Sequence, residues 1–140
     1  MQNENVHLFN DCARIVSSIC SKSRAVQAAY IFGSLAKHPG SKPADIDVAI
    51  LVEDESASSF PLLSFITQLE KALGLPADVV MLNRAGEVLK YEIRKSGKLV
   101  FERFPQVRKK FEIQGRKTYE DFLYLHQRYV KNVLYGGENG

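Results

Sequence analysis

One glycine–serine pair and three aspartates carry residue types and spacings that could do chemistry together. The segment Phe32-Gly33-Ser34-Leu35-Ala36-Lys37 is followed by a turn-rich loop and then by Asp45-Ile46-Asp47. Two carboxylates at i and i+2 on a strand project from the same face, with Cα atoms about 6.6 Å apart. Left unpaired beside Ile46, Val48, Ile50 and Leu51, they would repel each other and oppose folding. A cation between them removes that cost. Hard oxygen ligands with open positions suit Mg²⁺, which keeps waters and completes its shell with substrate phosphates. Two such ions about 3.5–4 Å apart stabilise the attacking and leaving oxygens of an in-line displacement at phosphorus.

Gly33 and Ser34 supply the other half of such a site. A glycine after a strand and before a helical turn lets backbone amides approach an anion, and the Ser34 hydroxyl adds a donor. Lys37, one turn on, can balance a triphosphate. A third carboxylate, Asp78, begins the apolar run Val79 to Leu82 and can complete a metal site or accept the proton of an attacking hydroxyl. Each feature alone has a plainer reading: a tight turn for Gly33-Ser34, a strand end for Asp45 and Asp47, a cap for Asp78. Their order after strand-like segments is what makes coincidence a poor account. A Walker phosphate loop is excluded, because Gly40 is followed by Ser41 before Lys42.

The elements that must position these residues follow from periodicity. Val6, Phe9, Ala13, Val16 and Cys20 recur at helical steps. Ala25 to Phe32 reads as a buried strand ended by Gly33-Ser34, and residues 38–43 are turn chemistry throughout. Asp45 to Val52 alternates, with Asp45, Asp47 and Ala49 on one face and Ile46, Val48 and Ile50 on the other. Ser58 or Ser59 is expected to cap a helix with Pro61 in its first turn, running to Gly74. Ala77 to Leu82 is a third strand, and Arg84 to Lys95 a helix closed by Gly97 in a left-handed cap. Lys98 to Phe101 is a short fourth strand, and a last helix spans about 106–134 with a break at Gly115. The order α-β-β-α-β-α-β-α predicts an α+β domain, a mixed or antiparallel sheet flanked by helices with a long C-terminal helix. One domain over 1–135 is expected, with a helical extension from about 106 and a disordered tail at 136–140.

Composition agrees with a single globular domain. The 140 residues are 45% hydrophobic and 25% charged, which argues against a disordered chain. No apolar run approaches bilayer length and the N-terminus does not resemble a secretion signal, so a soluble cytoplasmic protein with no membrane partner is expected. Net charge is +3. Residues 1–100 hold 11 basic and 11 acidic residues, so residues 101–140, with 8 and 5, carry the excess. Arg108-Lys109-Lys110 is read as a solvated helix face, and no direct contact with nucleic acid is expected. Cys12 and Cys20, eight residues apart on a helix, stand about 12 Å apart, too far for a disulfide. They are expected to be core thiols. His38 and His126 have no ligand partner at i+4. The stripe Tyr119, Phe122, Leu123, Tyr129, Val130 and Leu134 either packs on the domain or meets a partner.

Gly33-Ser34, ten intervening residues and Asp45-x-Asp47 resemble the signature of the polymerase-β-like nucleotidyltransferases. GSLAKHPGSKPADIDVAIL followed by ADVVMLN looks most like the minimal nucleotidyltransferases, the MntA antitoxins encoded beside HEPN-domain toxins. The resemblance covers about residues 25–101 and extends over RKTYEDFLYLHQRY in the last helix. It implies that Gly33 and Ser34 hold the triphosphate of ATP, that Asp45 and Asp47 bind two Mg²⁺, and that Asp78 is third ligand and base. Lys37 stands where the family commonly has arginine, giving a point charge in place of a fork. Ala44 stands where many relatives have serine. The implied activity is transfer of AMP from ATP to a tyrosine of the HEPN toxin, in a hetero-oligomer with it. Two alternatives stay open: a non-catalytic module that inhibits its partner by occlusion, and nucleotidyl transfer to a small molecule such as an aminoglycoside.

Overall fold

Ile46, Val48 and Ile50 pack into one apolar layer, and Ala49 and Leu51 into another on the opposite side of the same strand. The alternation read from the sequence therefore separates two buried faces, and Asp47 continues the second of them. The computed structural model describes residues 2–135, and side chains from residue 8 onward. Helix α1 (Gln2–Lys22) leads to β1 (Val26–Phe32), a short α2 (Gly33–Lys37) and β2 (Ile46–Val52). Then come α3 (Leu62–Leu73), β3 (Ala77–Met81), α4 (Glu87–Ser96), β4 (Lys98–Glu102) and α5 (Pro105–Tyr135). The sheet order is β3-β2-β1-β4. β1 pairs antiparallel with β2 and with β4, while β2 and β3 are parallel, joined by the α3 crossover. Of the mixed or antiparallel sheet expected of the sequence, the mixed form is the one present, with the long C-terminal helix.

α1 and α3 cover one face. Cys12, Val16 and Cys20 from α1 and Phe65 and Leu69 from α3 are buried against β1 and β2. Each buried Leu or Phe contributes roughly 1.5–3 kcal/mol. Both cysteines are free, and burial pushes the Cys20 thiol up to about 12. α4 and the first half of α5 cover the other face, where Ile93, Leu89 and Phe111 meet Ala28, Tyr30 and Leu51. The Tyr30 hydroxyl donates to Glu112 of α5 at 3.2 Å, and Arg108 bridges Glu112 and Glu102 at 2.5 Å each. Burial and the Glu112 carboxylate push the Tyr30 phenol well above its ordinary range.

The helical turn expected after Gly33 is the five-residue helix α2, which the predicted element order did not count. Several other local expectations are corrected. α3 has Pro61, not a serine, at its N-cap and no side-chain cap. The serines are engaged behind it: residues 54–56 form a 3₁₀ turn, and Ser59 Oγ donates to the Ser56 carbonyl. α4 begins at Glu87 because residues 82–84 form another 3₁₀ turn. Gly74 does close α3 in the left-handed region, at φ 70°. Gly97 does not: its φ is −72° and ψ 156°. Its reason is space, since a Cβ there would stand 2.5 Å from the Ile93 carbonyl oxygen. Gly115 does not break α5, which is continuous for 31 residues. It is buried beneath Arg94, whose guanidinium a Cβ would meet at 2.8 Å. The tail 136–140 lies outside the described residues.

α5 is about 46 Å long at 1.5 Å per residue, and α4, at ten residues, spans only a third of it. Tyr91 of α4 stacks on Tyr119, with centroids 4.4 Å apart, and Phe122 and His126 continue the stack along α5. Beyond Phe122, Leu125, Tyr129, Val133 and Leu134 are exposed, Tyr129 at 65%. Of the two readings of this stripe, packing holds as far as Phe122 and exposure beyond it. Among the described residues no helix is long and apolar enough to cross a membrane.

Candidate active site

Antiparallel pairing brings the end of β1 to the start of β2, so Phe32 stands opposite Asp47. Parallel pairing on the other side sets Asp78 of β3 opposite the same Asp47. Directly paired residues share a face of the sheet. Asp47 is thus flanked by the strand that ends in Gly33 and by the strand that carries the third carboxylate. Asp45 lies one residue before β2. The alternation then aims Asp45 and Asp47 the same way.

Two contacts that sequence reasoning assigned no role hold this register. The Ile46 amide donates to the Pro76 carbonyl at 2.9 Å, and the Ala77 amide donates to the Glu70 carboxylate of α3 at 2.9 Å. Together they fasten the start of β3, and with it Asp78, to the start of β2. Glu70 sits in an ordinary amphipathic helix, and no spacing marks it. Only the fold brings it to the strand.

Gly33 opens α2 with φ 70°, a conformation that costs an L-residue roughly 1–2 kcal/mol. A Cβ on it would overlap Oδ2 of Asp47 and stand 2.9 Å from its Cγ. Glycine is required twice here, by the backbone angle and by the approach of the carboxylate. Leu35 and Ala36 are buried and anchor the little helix, leaving Ser34 and Lys37 exposed. The first amides of a helix have no intrahelical partners and face outward with Ser34.

The three carboxylates share a field. Asp45 and Asp78 are exposed and Asp47 is half-buried. Burial raises the Asp47 pKa most, and the charges of Asp45 and then Asp78 raise it further. None of the ion pairs among the described residues includes Asp45, Asp47, Asp78 or Lys37. Lys37 is near in sequence but is not brought to the acids as an internal counter-charge. Nor do the acids form a closed cage: among the described residues no three acidic, histidine or cysteine side chains meet as a ready metal centre. An open set of hard oxygen donors under mutual repulsion fits Mg²⁺, which takes the rest of its shell from water and phosphate.

Residues 15–106 match the family model described as polymerase beta, nucleotidyltransferase. No curated protein matches the chain. Solved structures share the fold at low identity. A chain of a toxin–antitoxin complex with AMP-PNP is 20% identical, covering 87% of this chain and 98% of that one with a TM-score of 0.69. A chain of the tri-AMPylated Shewanella oneidensis HEPN toxin in complex with MNT antitoxin is 22% identical, covering 96% and 99% with a TM-score of 0.59. A chain of the MntA–HepT toxin–antitoxin structure is also 22% identical, covering 96% and 99% at 0.58. With its matched span, its mixed sheet and its carboxylates beside the glycine–serine turn, the chain belongs to the polymerase β nucleotidyltransferase family.

Proposed function

We propose that this chain is a Mg²⁺-dependent adenylyltransferase that moves AMP from ATP to a tyrosine hydroxyl of a HEPN-domain toxin, and so acts as its antitoxin. One observation carries this reading. Three carboxylates from two segments, the start of β2 and β3, are set side by side next to Gly33 and Ser34, with no basic side chain among the described residues neutralising them. Asp45, Asp47 and Asp78 would hold Mg²⁺, which when bound neutralises the polyphosphate and favours in-line displacement at the α-phosphorus. Gly33 lets the chain turn close to the phosphates, and Ser34 donates to them. Lys37 adds a single charge beside the triphosphate. Asp78, exposed on the neighbouring strand β3, accepts the proton of the attacking tyrosine. Positioning and charge neutralisation supply most of the acceleration in phosphoryl-group chemistry.

The solved complexes of similar fold supply the partner class. The exposed aromatic stripe of α5 beyond Phe122 supports a contact with it, because aromatic and arginine residues dominate interface hot spots. We place the catalytic unit and this extension in one domain over residues 1–135, acting in the cytoplasm as part of a hetero-oligomer. Transfer to a small molecule is less well supported, since the cleft of about 520 Å³ lies at the other end of β2, beside Val52.

The test is incubation of the purified chain with labelled ATP, Mg²⁺ and the product of the neighbouring gene. Label on a tyrosine of that product, abolished by Asp45→Ala with Asp47→Ala, is the expected result. Full inhibition of the partner by the same double variant, with no label transferred, would establish occlusion instead.

A further inference from the structure

The row of side chains that begins at Tyr119, stacked on Tyr91 of α4, runs on along α5 through Phe122, His126, Tyr129 and Val133. These residues alternate three- and four-residue steps, the period of a packed helical seam. α4 covers only the beginning of the row. Residues 123–135 are all exposed, a stretch of about 20 Å, and eight of them are large hydrophobics. At 3.6 residues per turn, Leu125, Tyr129, Val133, Val130 and Leu134 share about half of the circumference with Phe122. Gln127 and Asn132 border this face, and Arg128 and Lys131 lie behind them. No acidic residue occurs between Phe122 and Tyr135.

We propose that this half of α5 is a docking helix that inserts into an apolar groove between two helices of the partner, beneath an acidic rim. The inference rests on the reading that the chain acts on a toxin partner, and it assigns the surface and the chemistry of that contact. Anchors at i, i+3, i+7 and i+11, here Phe122, Leu125, Tyr129 and Val133, are the pattern of a helix laid in a groove. The width of the face calls for two neighbours, because one facing helix covers only a narrower seam. The seam already packed against α4 continues into it without a break. The rim follows from charge, since the cations Arg128 and Lys131 have no acid on their own stretch and complement negative groups opposite. A second copy of α5 fits poorly: it supplies one helix and brings two further cations with no acid to meet them.

Calorimetric titration of the full chain into the purified product of the neighbouring gene tests this. Leu125→Ala with Tyr129→Ala should weaken binding at least tenfold, as loss of interface anchors does. Both positions are exposed, so Tm should not change. Arg128→Glu with Lys131→Glu should slow association about tenfold at low salt. Phe104→Ala, which removes an exposed aromatic ahead of α5, should leave the affinity intact, as should Asp45→Asn with Asp47→Asn. Full affinity in the Leu125/Tyr129 double variant, or equal weakening by Phe104→Ala, would overturn this inference alone. Absence of binding by the unaltered chain would overturn the partner reading together with it, whereas binding without transfer of label would leave the docking helix standing and refute only the catalysis. If the chain alone sediments as a dimer that Tyr129→Ala dissociates, the occupant is a second copy and the assignment falls. It falls equally if anionic phospholipid vesicles bind the chain through Leu125 and Tyr129.

Discussion

Gly33 and Asp47 lie fourteen residues apart in the chain, yet the Asp47 carboxylate occupies the space that a Cβ on residue 33 would need. The glycine is defined by the aspartate. Because Gly33 also has φ 70°, Gly33→Ala meets a conformational cost of about 1–2 kcal/mol and a collision together. The expected outcome is a lower Tm and a fall in nucleotidyl transfer of about a hundredfold, as for a misplacement of about 1 Å in a catalytic group. Thermal melts and single-turnover transfer check the two effects separately.

The raised pKa of Asp47 has a definite sign. A carboxyl whose folded pKa lies above its unfolded value favours the fold when protonated, and that advantage is lost as pH rises through the carboxylate range. In chelator at pH 7, Asp47→Asn should therefore raise Tm, by about 2–4 °C, while abolishing transfer. The gain should shrink near pH 4. Mg²⁺ should raise the Tm of the unaltered chain at pH 7 and leave that of Asp47→Asn nearly unchanged. A variant that melts lower than the parent in chelator at pH 7 would contradict the repulsion.

Glu70 touches no substrate, but it fastens the Ala77 amide and so the position of Asp78. Glu70→Ala should slow transfer by about ten- to a hundredfold with little change in nucleotide affinity. Glu70→Gln retains an oxygen acceptor and should restore most of the rate. Equal loss in both variants would show that the carboxylate charge, not the hydrogen bond, matters.

The two packed glycines of the C-terminal half should respond differently. Gly97→Ala drives a Cβ to 2.5 Å from the Ile93 backbone oxygen, which cannot yield without moving α4, so a loss of about 1–3 kcal/mol is expected. Gly115→Ala meets only the tip of the Arg94 side chain, at 2.8 Å, and gains about 1 kcal/mol of helix propensity. It should be close to neutral in denaturant unfolding.

Much of the candidate site was legible because its parts are local. The spacing of Gly33, Ser34, Asp45 and Asp47 is covalent, and strand alternation alone puts Asp45 and Asp47 on one face. The apolar periods of α1 and α3 and the short β1-to-β2 passage were enough to indicate a mixed or antiparallel sheet flanked by helices. Glu70 was not legible, since its partner Ala77 lies beyond the end of its own helix. Gly97 and Gly115 were misread because a glycine's reason, turn or clearance, depends on what packs over it.

By itself, the chain of residues determined which groups are available and which of them share an element, because those relations follow from bond geometry and helical or strand period. The tertiary structure alone decided that Asp78 stands opposite Asp47, since a register across 31 residues depends on the α3 crossover and on the hydrogen bonds of Pro76 and Glu70. It also decided that α5 runs past its packing partner, leaving its aromatic stripe half covered. Such relations are set by the joint packing of distant segments.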